Sequence, residues 1–215
     1  MSVNSINFEL MKNILTQMKN SVLRVKLNKC TNTGFLCIIP FPDKNNLLKV
    51  MITFTNLSKD DIIKCNKIHI SLDDEKKSYE IYVEEKRKIY VNKLYNIAII
   101  EIRKNDKFEE SAFLEIDESI FDNKQNELKD MQVYLMGYPY QKNGVFSHGV
   151  ITKLKEDGYT LNHLCATSEG CAGSPIMSNN SLKVVGIHIG YEKNKNYNYG
   201  IFLKKPIEEF NEMFK

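Results

Sequence analysis

Residues 167–176 read Thr-Ser-Glu-Gly-Cys-Ala-Gly-Ser-Pro-Ile, and residues 184–190 follow as Val-Val-Gly-Ile-His-Ile-Gly. Two turns made of small residues therefore precede an apolar strand that ends in glycine. Gly170 and Gly173 give the chain the freedom for a tight bend, and Pro175 favours an extended conformation for the residue before it. Such a bend can direct several backbone N–H groups to one point, as an oxyanion hole requires.

This stretch resembles the nucleophile region of trypsin-like (chymotrypsin-fold) serine peptidases. In that family Gly-x-Ser-Gly-Ser/Gly-Pro precedes an apolar strand ending in Gly-Ile-x-x-Gly, and Gly170, Gly173, Ser174 and Pro175 match the pattern. The position of the nucleophilic serine, however, holds Ala172. The resemblance implies that the backbone N–H groups of Gly170 and Ala172 are the donors of the oxyanion hole.

Two further stretches cover the positions of the other triad members. Residues 94–102 resemble the family's Asp-Ile-Ala-Leu/Ile signature, but Asn96 stands where the buried acid belongs. An amide cannot stabilise an imidazolium as a carboxylate does, and it disrupts the tautomer that the base needs. The general-base histidine falls at Asn56, within residues 50–57, or at Thr55 if the register slips by one. Neither side chain can accept a proton at neutral pH.

The three positions follow one another in the order base, acid, nucleophile, which is the chymotrypsin-type order. Removing one member already abolishes most of a triad's contribution, so a natural loss explains three absences more simply than laboratory inactivation. The sequence therefore predicts a catalytically inactive homologue, a pseudopeptidase that acts as a peptide- or protein-binding or regulatory module. Two alternatives stay open: an active peptidase that uses Cys171 or an unrecognised base, and a serine peptidase inactivated artificially at Ala172.

The turn and the strand after it supply the candidate peptide-binding residues Cys171, His188, Ile189 and Gly190. Cys171 can act as a nucleophile only if it points into the cleft and finds a base, and Asn56 occupies the base position. His188 lies on the strand whose edge pairs with a bound peptide in active relatives, and a hydrogen-bonded wall of the barrel is its alternative role. The histidines are scattered and no Cys-x-x-Cys pair occurs, so we expect neither a metal nor a cofactor.

The rest of the chain carries many short alternating strands separated by turn residues, which predicts an all-β fold. The resemblance makes that fold a double six-stranded antiparallel β-barrel. Apolar residues at helical spacing predict a helix at each end and none elsewhere. The expected divisions of a single domain, residues 1–215, are an N-terminal helix (1–19), a first barrel (20–110), a connection (111–130), a second barrel (131–205) and a C-terminal helix (206–215).

Composition excludes several classes of protein. With 42% hydrophobic and 27% charged residues, the chain is ordinary for a soluble globular protein. A net charge of +3 with interspersed signs is no nucleic-acid footprint. No apolar run is long enough for a membrane span, and the start lacks the pattern of a signal peptide. The five scattered cysteines favour reduced thiols, so we expect a cytoplasmic protein with a protein or peptide partner, and the oligomeric state stays open.

Overall fold

The computed structural model describes residues 8–122, 128–140, 143–191 and 195–215. The described chain forms two β-structured halves, with an α-helix before the first and another after the second. The all-β architecture with a helix at each end, expected from the sequence, is confirmed. Parts of the predicted N-terminal helix (1–7), connection (123–127) and second barrel (141–142 and 192–194) lie outside the described residues. None of the described helices is both long and apolar enough to cross a membrane.

The first half is an eight-stranded sheet, two strands more than the six expected from the sequence. Its strands are β1 (Val22–Leu27), β2 (Cys30–Pro40), β3 (Leu47–Phe54), β4 (Lys67–Leu72), β5 (Lys77–Tyr82), β6 (Ile89–Asn92), β7 (Ile97–Glu101) and β8 (Leu114–Glu115). Seven of them lie in the order β5-β4-β1-β2-β3-β7-β6, and β8 pairs with β2 in parallel. Apolar residues on one face of the sheet build a core, as the alternation along β4 shows: Ile68, Ile70 and Leu72 are buried between more exposed polar neighbours.

The two outer strands of this sheet, β5 and β6, do not pair with each other. The segment between them carries Arg87, whose guanidinium donates to both carboxylate oxygens of Asp106, at 2.7 and 3.0 Å, and to the Glu101 carbonyl, at 2.8 Å. Both side chains of the pair are only 4% exposed. On the other side of the gap, the ring of Tyr79 on β5 stacks against Phe108 with centroids 4.7 Å apart. Side chains of the segment after β7 therefore cover the gap that the backbone leaves.

The second half is a closed barrel. Its strands are β9 (Gln132–Gly137), β10 (Val145–Leu154), β11 (Thr160–His163), β12 (Pro175–Ser178), β13 (Val184–Tyr191) and β14 (Asn198–Phe202). They follow one another around the barrel in the order β10-β11-β14-β13-β12-β9. Closure gives every strand two neighbours, so the barrel holds the β11–β12 connection, which contains residues 167–174, in a fixed place.

Three α-helices accompany the strands: α1 (Phe8–Ser21), α2 (Lys59–Lys64) and α3 (Lys204–Phe214). The N-terminal helix ends at Ser21 rather than at residue 19, and the C-terminal helix begins at Lys204 rather than at residue 206. The expectation of helices only at the ends is wrong, because α2 follows β3. A capping box explains this short helix: the Ser58 hydroxyl accepts the Asp61 N–H, and the Asp61 carboxylate accepts the Ser58 N–H.

We expect Asp106→Ala to lower the free energy of unfolding by about 3–5 kcal/mol, because it leaves the Arg87 guanidinium buried without its partner. Urea unfolding followed by circular dichroism measures the change. The matched control is Glu80→Ala, which breaks an exposed ion pair with Lys67 and should leave the midpoint nearly unchanged. If Asp106→Ala kept the wild-type free energy of unfolding, or if both variants lost the same amount, the buried Arg87–Asp106 pair would not be what stabilises this half.

Candidate active site

The connection between β11 and β12 contains two successive turns that share Cys171. The Cys171 N–H donates to the Ser168 carbonyl at 3.1 Å, and the Ser174 N–H donates to the Cys171 carbonyl at 3.0 Å. Gly170 and Gly173 occupy the third position of each turn, with φ angles of 92° and 94°. Type II turns require this left-handed conformation at their third residue, and glycine adopts it without steric cost. The two glycines therefore determine the path of the chain through the site.

The predicted base and acid positions lie side by side in the first half. The Thr55 N–H donates to the Asn96 carbonyl at 3.0 Å, so that Asn56, the next residue, lies beside Asn96. Asn96 has a φ of 54°, a left-handed conformation that asparagine adopts more readily than other non-glycine residues. Asn56 is exposed and Asn96 is half-buried. Neither amide can take up a proton near neutral pH.

The predicted nucleophile position reaches the same place from the second half. The Thr33 N–H on β2 donates to the Ala172 carbonyl at 3.0 Å. A Cβ added to Gly173 would lie 2.9 Å from the backbone nitrogen of Phe54, so the turn touches the end of β3 just before Asn56. Ala172 itself is half-buried and offers only a methyl group. The main chain thus brings the three positions together, and all three carry side chains unsuited to acid–base or nucleophilic chemistry.

Several backbone N–H groups of residues 168–174, those of Gly170 and Ala172 among them, have no acceptor within the described ranges. The N–H groups of Cys171 and Ser174 close the turns, and the Gly173 N–H donates to the His188 carbonyl at 2.8 Å. The Gly170 and Ala172 N–H groups, which the sequence predicts to be the oxyanion donors, are both among the groups without an acceptor. An unpaired N–H at a half-buried position is a strong donor for water or a ligand.

Cys171 and Ser174 both have buried side chains. A cysteine that acts as a nucleophile needs a thiolate in a polar or positively charged and accessible surrounding. The Cys171 thiol does not meet the second condition, because it is directed into the protein rather than into solvent. Only the main-chain atoms of Cys171 are therefore available at the surface of the turn.

His188 lies inside the second barrel, beneath the turn. Its Nδ1 is 3.1 Å from the Nε2 of His163, and both rings are buried. Burial lowers the pKa of His163 to about 4, and burial together with the neighbouring ring lowers the pKa of His188 well below its ordinary value. The His188 main chain binds Ser174 and Gly173, each through a 2.8 Å hydrogen bond. This geometry matches the alternative of a hydrogen-bonded wall residue.

Ile189 and Gly190 lie where β13 passes beyond the end of β12. Pairing with β12 ends at Ile187, whereas pairing with β14 continues to Tyr191. Beyond the bond from the His188 N–H to the Ser174 carbonyl, one edge of β13 therefore has no strand partner in the described part of the chain. The exposed backbone of such an edge can pair with an added strand.

Sequence reasoning missed the role of Glu209 on α3. Its carboxylate accepts hydrogen bonds from the hydroxyls of Tyr90 and Tyr95, at 2.6 and 3.0 Å, and from the Asn92 amide at 2.9 Å. Partial burial alone would raise the pKa of Glu209, but these hydrogen bonds lower it below its ordinary value. The Asn92 side chain also accepts N–H groups of the turn that leads to Asn96. The C-terminal helix thereby fixes the acid position, and a single glutamate in an amphipathic helix carries no sequence signal for this.

Neither the cysteines nor the cavities of the described structure coincide with the predicted triad positions. All five cysteines are free thiols, and the described residues contain no group of three or more His, Cys, Asp or Glu side chains arranged to hold a metal ion. One cavity of about 390 Å³ lies over β1, β4 and β5. A second cavity, of about 280 Å³, lies between the β2–β3 hairpin and the connection between the two halves. Neither is lined by Asn56, Asn96 or Ala172.

The family model for the trypsin-like peptidase domain matches residues 59–187, which is more than half of the chain. The chain therefore belongs to the trypsin-like peptidase family, as its sequence predicted. The matched segment contains Asn96 and Ala172, begins after Asn56 and ends before His188. No curated protein matches the sequence.

Three solved structures resemble the fold. The serine endoprotease from Yersinia pestis is 13% identical, with a TM-score of 0.63, and the match covers 94% of this chain and 66% of that one. The Rv3671c protease in an inactive form is 14% identical, with a TM-score of 0.63, and the match covers 100% of both chains. A serine-to-alanine mutant of Rv3671c from M. tuberculosis H37Rv, also inactive, is 14% identical with a TM-score of 0.65, and the match covers 100% of this chain and 98% of that one. At these identities the likeness shows the trypsin-like fold alone, and that fold confirms the expectation from the sequence.

The His163–His188 pair predicts stability that falls in mild acid. An unfolded histidine titrates near pH 6.5, whereas folded His163 titrates near 4. Between these values the unfolded chain binds protons that the buried pair does not, so the free energy of unfolding decreases as pH falls, by up to about 1.4 kcal/mol per pH unit for each histidine. Urea unfolding between pH 7.5 and 4.5 measures this slope.

The variant for this test is His163→Gln, which we expect to flatten the slope between pH 6.5 and 4.5. His69→Gln is the control, because His69 is exposed and faces Glu80 at the surface. The control should keep the wild-type slope. A slope in His163→Gln equal to that of the wild type would contradict the assignment.

Proposed function

We propose that this chain is a catalytically inactive trypsin-like homologue that binds an extended peptide or protein segment in its former active-site cleft. One observation carries the proposal. The Gly170 and Ala172 N–H groups stay free on a fixed turn, while Asn56, Asn96 and Ala172 supply neither base, acid nor nucleophile. The two backbone donors are present, whereas the side chains that hydrolysis requires are absent.

The loss of catalysis follows from the side chains. Peptide hydrolysis by this family needs a nucleophile, and a positioned general base contributes about 10²–10⁴ in rate. A methyl group at Ala172 cannot attack a carbonyl, and the amides of Asn56 and Asn96 cannot remove or orient a proton as imidazole and carboxylate do. The oxyanion hole and substrate binding leave a residual acceleration of about 10³–10⁴-fold over water, far below that of an intact triad.

Binding, in contrast, depends on groups that these substitutions do not touch. The turn is anchored to β2 through Thr33 and to β13 through His188, so its donors are already in place before a ligand arrives. The free edge of β13 at Ile189 and Gly190 can accept a peptide as an added strand, in which main-chain hydrogen bonds provide affinity. Preorganised donors of this kind reduce the entropy cost of binding.

A peptidase that uses Cys171 is the competing function. It would require the thiol to reach the cleft, whereas the side chain is buried. No contact among the described residues favours an unrecognised base for Cys171. We therefore propose the non-catalytic function. The proposal includes a protein or peptide as partner rather than nucleic acid or membrane, a single domain over residues 1–215, and a cytoplasmic location, which the five free cysteines support.

The proposal predicts that a bulky cationic side chain at the nucleophile position abolishes binding. Wild-type protein should capture a subset of peptides from an array, and Ala172→Arg should lose them by tenfold or more, because the long side chain fills the space beside the two donors. Asn45→Arg places the same side chain on the exposed β2–β3 hairpin and is the matched control. If Ala172→Arg retained every interaction of the control, binding through the former active site would be wrong.

A further inference from the structure

We infer that the cleft recognises a segment that ends in a free α-carboxylate and has apolar side chains before it. This inference rests on the proposed function and names the chemistry of the partner. Two independent features support this inference. The first is the pair of free backbone N–H groups of Gly170 and Ala172, called the donor frame below, and the second is a set of exposed apolar side chains on neighbouring segments.

The donor frame is suited to an anion. The Gly170 and Ala172 N–H groups flank the Cys171 main chain and have no acceptor in the described part of the structure. Backbone N–H groups bind a carboxylate more strongly than a neutral carbonyl, since the hydrogen bonds are charge-assisted and about twice as strong. A C-terminus offers a carboxylate on a flexible main chain, whereas an internal peptide bond offers a neutral oxygen.

The substitution at the acid position removes one negative charge from the site. An aspartate at position 96 would repel a bound carboxylate, because like charges interact strongly in a partly buried site. Asn96 removes this repulsion, and the amides of Asn56 and Asn96 each offer two N–H donors. Ala172 leaves free the space that a nucleophile's hydroxyl would take. The substitutions that end catalysis therefore favour an anionic ligand.

The charged residues near the site do not reverse this balance. Within residues 167–176 the single charged side chain is Glu169, which is exposed and so well solvated. Residues 92–97 contribute one cation, the exposed Lys93, and residues 54–58 carry no charge. These stretches add one exposed acid and one exposed base. The Glu209 carboxylate behind the acid position adds a further negative charge, which accepts hydrogen bonds from the hydroxyls of Tyr90 and Tyr95 and from the Asn92 amide. The N–H groups of Gly170 and Ala172 remain free to bind a ligand, and they favour an anion.

Four large apolar side chains on segments next to the site are exposed: Leu94 is 74%, Tyr140 54%, Leu164 48% and Tyr191 45% exposed. Leu94 lies in the turn that leads to Asn96. The Tyr140 N–H donates to the Glu169 carbonyl at 2.6 Å, next to Gly170.

The other two members of this apolar rim lie at the free end of β13. Tyr191 is the last residue of β13 and pairs with Asn198. The Asn198 amide donates to the carbonyl of Cys165 at 2.6 Å, which brings Leu164 close to Tyr191. These four exposed side chains therefore stand on segments that adjoin the turn, the acid position or the free end of β13, and exposed apolar groups on neighbouring segments are typical of binding surfaces.

The two features define one binding mode. The carboxylate accepts the N–H groups of Gly170 and Ala172, and the preceding residues lie along the edge of β13 as an added strand. Because successive side chains of a strand point to opposite faces, alternate ligand residues contact the rim. A partner with a polar C-terminal sequence would leave this rim exposed to water.

The test uses pools of N-terminally fluorescein-labelled hexapeptides and fluorescence anisotropy. One pool contains Leu, Val, Phe and Tyr with a free C-terminal carboxylate, the second has the same sequences with a C-terminal amide, and the third has Ser, Gln and Thr with a free carboxylate. We expect the apolar free-acid pool to bind at least tenfold more tightly than either other pool. Leu94→Ser and Tyr191→Ser should weaken its binding by threefold or more. Leu47→Ser, which removes a side chain that is 70% exposed outside the rim, should leave binding unchanged.

The outcomes separate this inference from the proposed function. If the amidated pool binds as tightly as the free-acid pool, and Ala172→Arg abolishes both, the carboxylate inference is wrong and peptide binding in the cleft stands. If the polar free-acid pool equals the apolar one, the apolar part is wrong. If no pool binds, or if Ala172→Arg keeps full binding, both the inference and the proposed function fail.

Discussion

The pair of turns that share Cys171 is the constraint on which the site depends. Gly170 and Gly173 adopt left-handed conformations that only glycine takes at low cost, and a Cβ on Gly173 would lie 1.9 Å from the Thr33 carbonyl oxygen. Hydrogen bonds then attach the turns to both halves, to β2 through the Ala172 carbonyl and to β13 through the Gly173 N–H. The position of the donors is therefore a property of the backbone.

Under the proposed function, this origin explains how a trypsin-like chain can keep a shaped site after its triad side chains are replaced. Catalysis in this family depends on three side chains, each of which one substitution removes. The donors depend on main-chain atoms and on packing between two sheets, which Asn56, Asn96 and Ala172 leave intact. The buried His163–His188 pair below the turn and the Glu209 contacts behind the acid position support the same frame from two sides.

The sequence predicted the parts of the fold that local rules determine. Sequence reasoning found the Gly-Ser-Pro turn, the apolar strands and the terminal helices. In each of them the residue types favour the conformation that the chain adopts. The Arg87–Asp106 pair, the Glu209 contacts and the histidine pair were not found, since each joins residues that are distant in sequence and ordinary in isolation. The short helix α2 escaped because six residues show no helical period, although Ser58 and Asp61 form a capping box. Burial of Cys171 likewise depends on tertiary packing.

The central claim is that Asn56, Asn96 and Ala172 occupy the places of base, acid and nucleophile in an otherwise intact frame. The most direct measurement is the peptidase activity of the triple variant Asn56→His, Asn96→Asp, Ala172→Ser beside the wild type, on a broad peptide library with products detected by mass spectrometry. We expect the triple variant to cleave peptides and the wild type to cleave none. Cleavage by the wild type, or a folded triple variant that cleaves nothing, would contradict it.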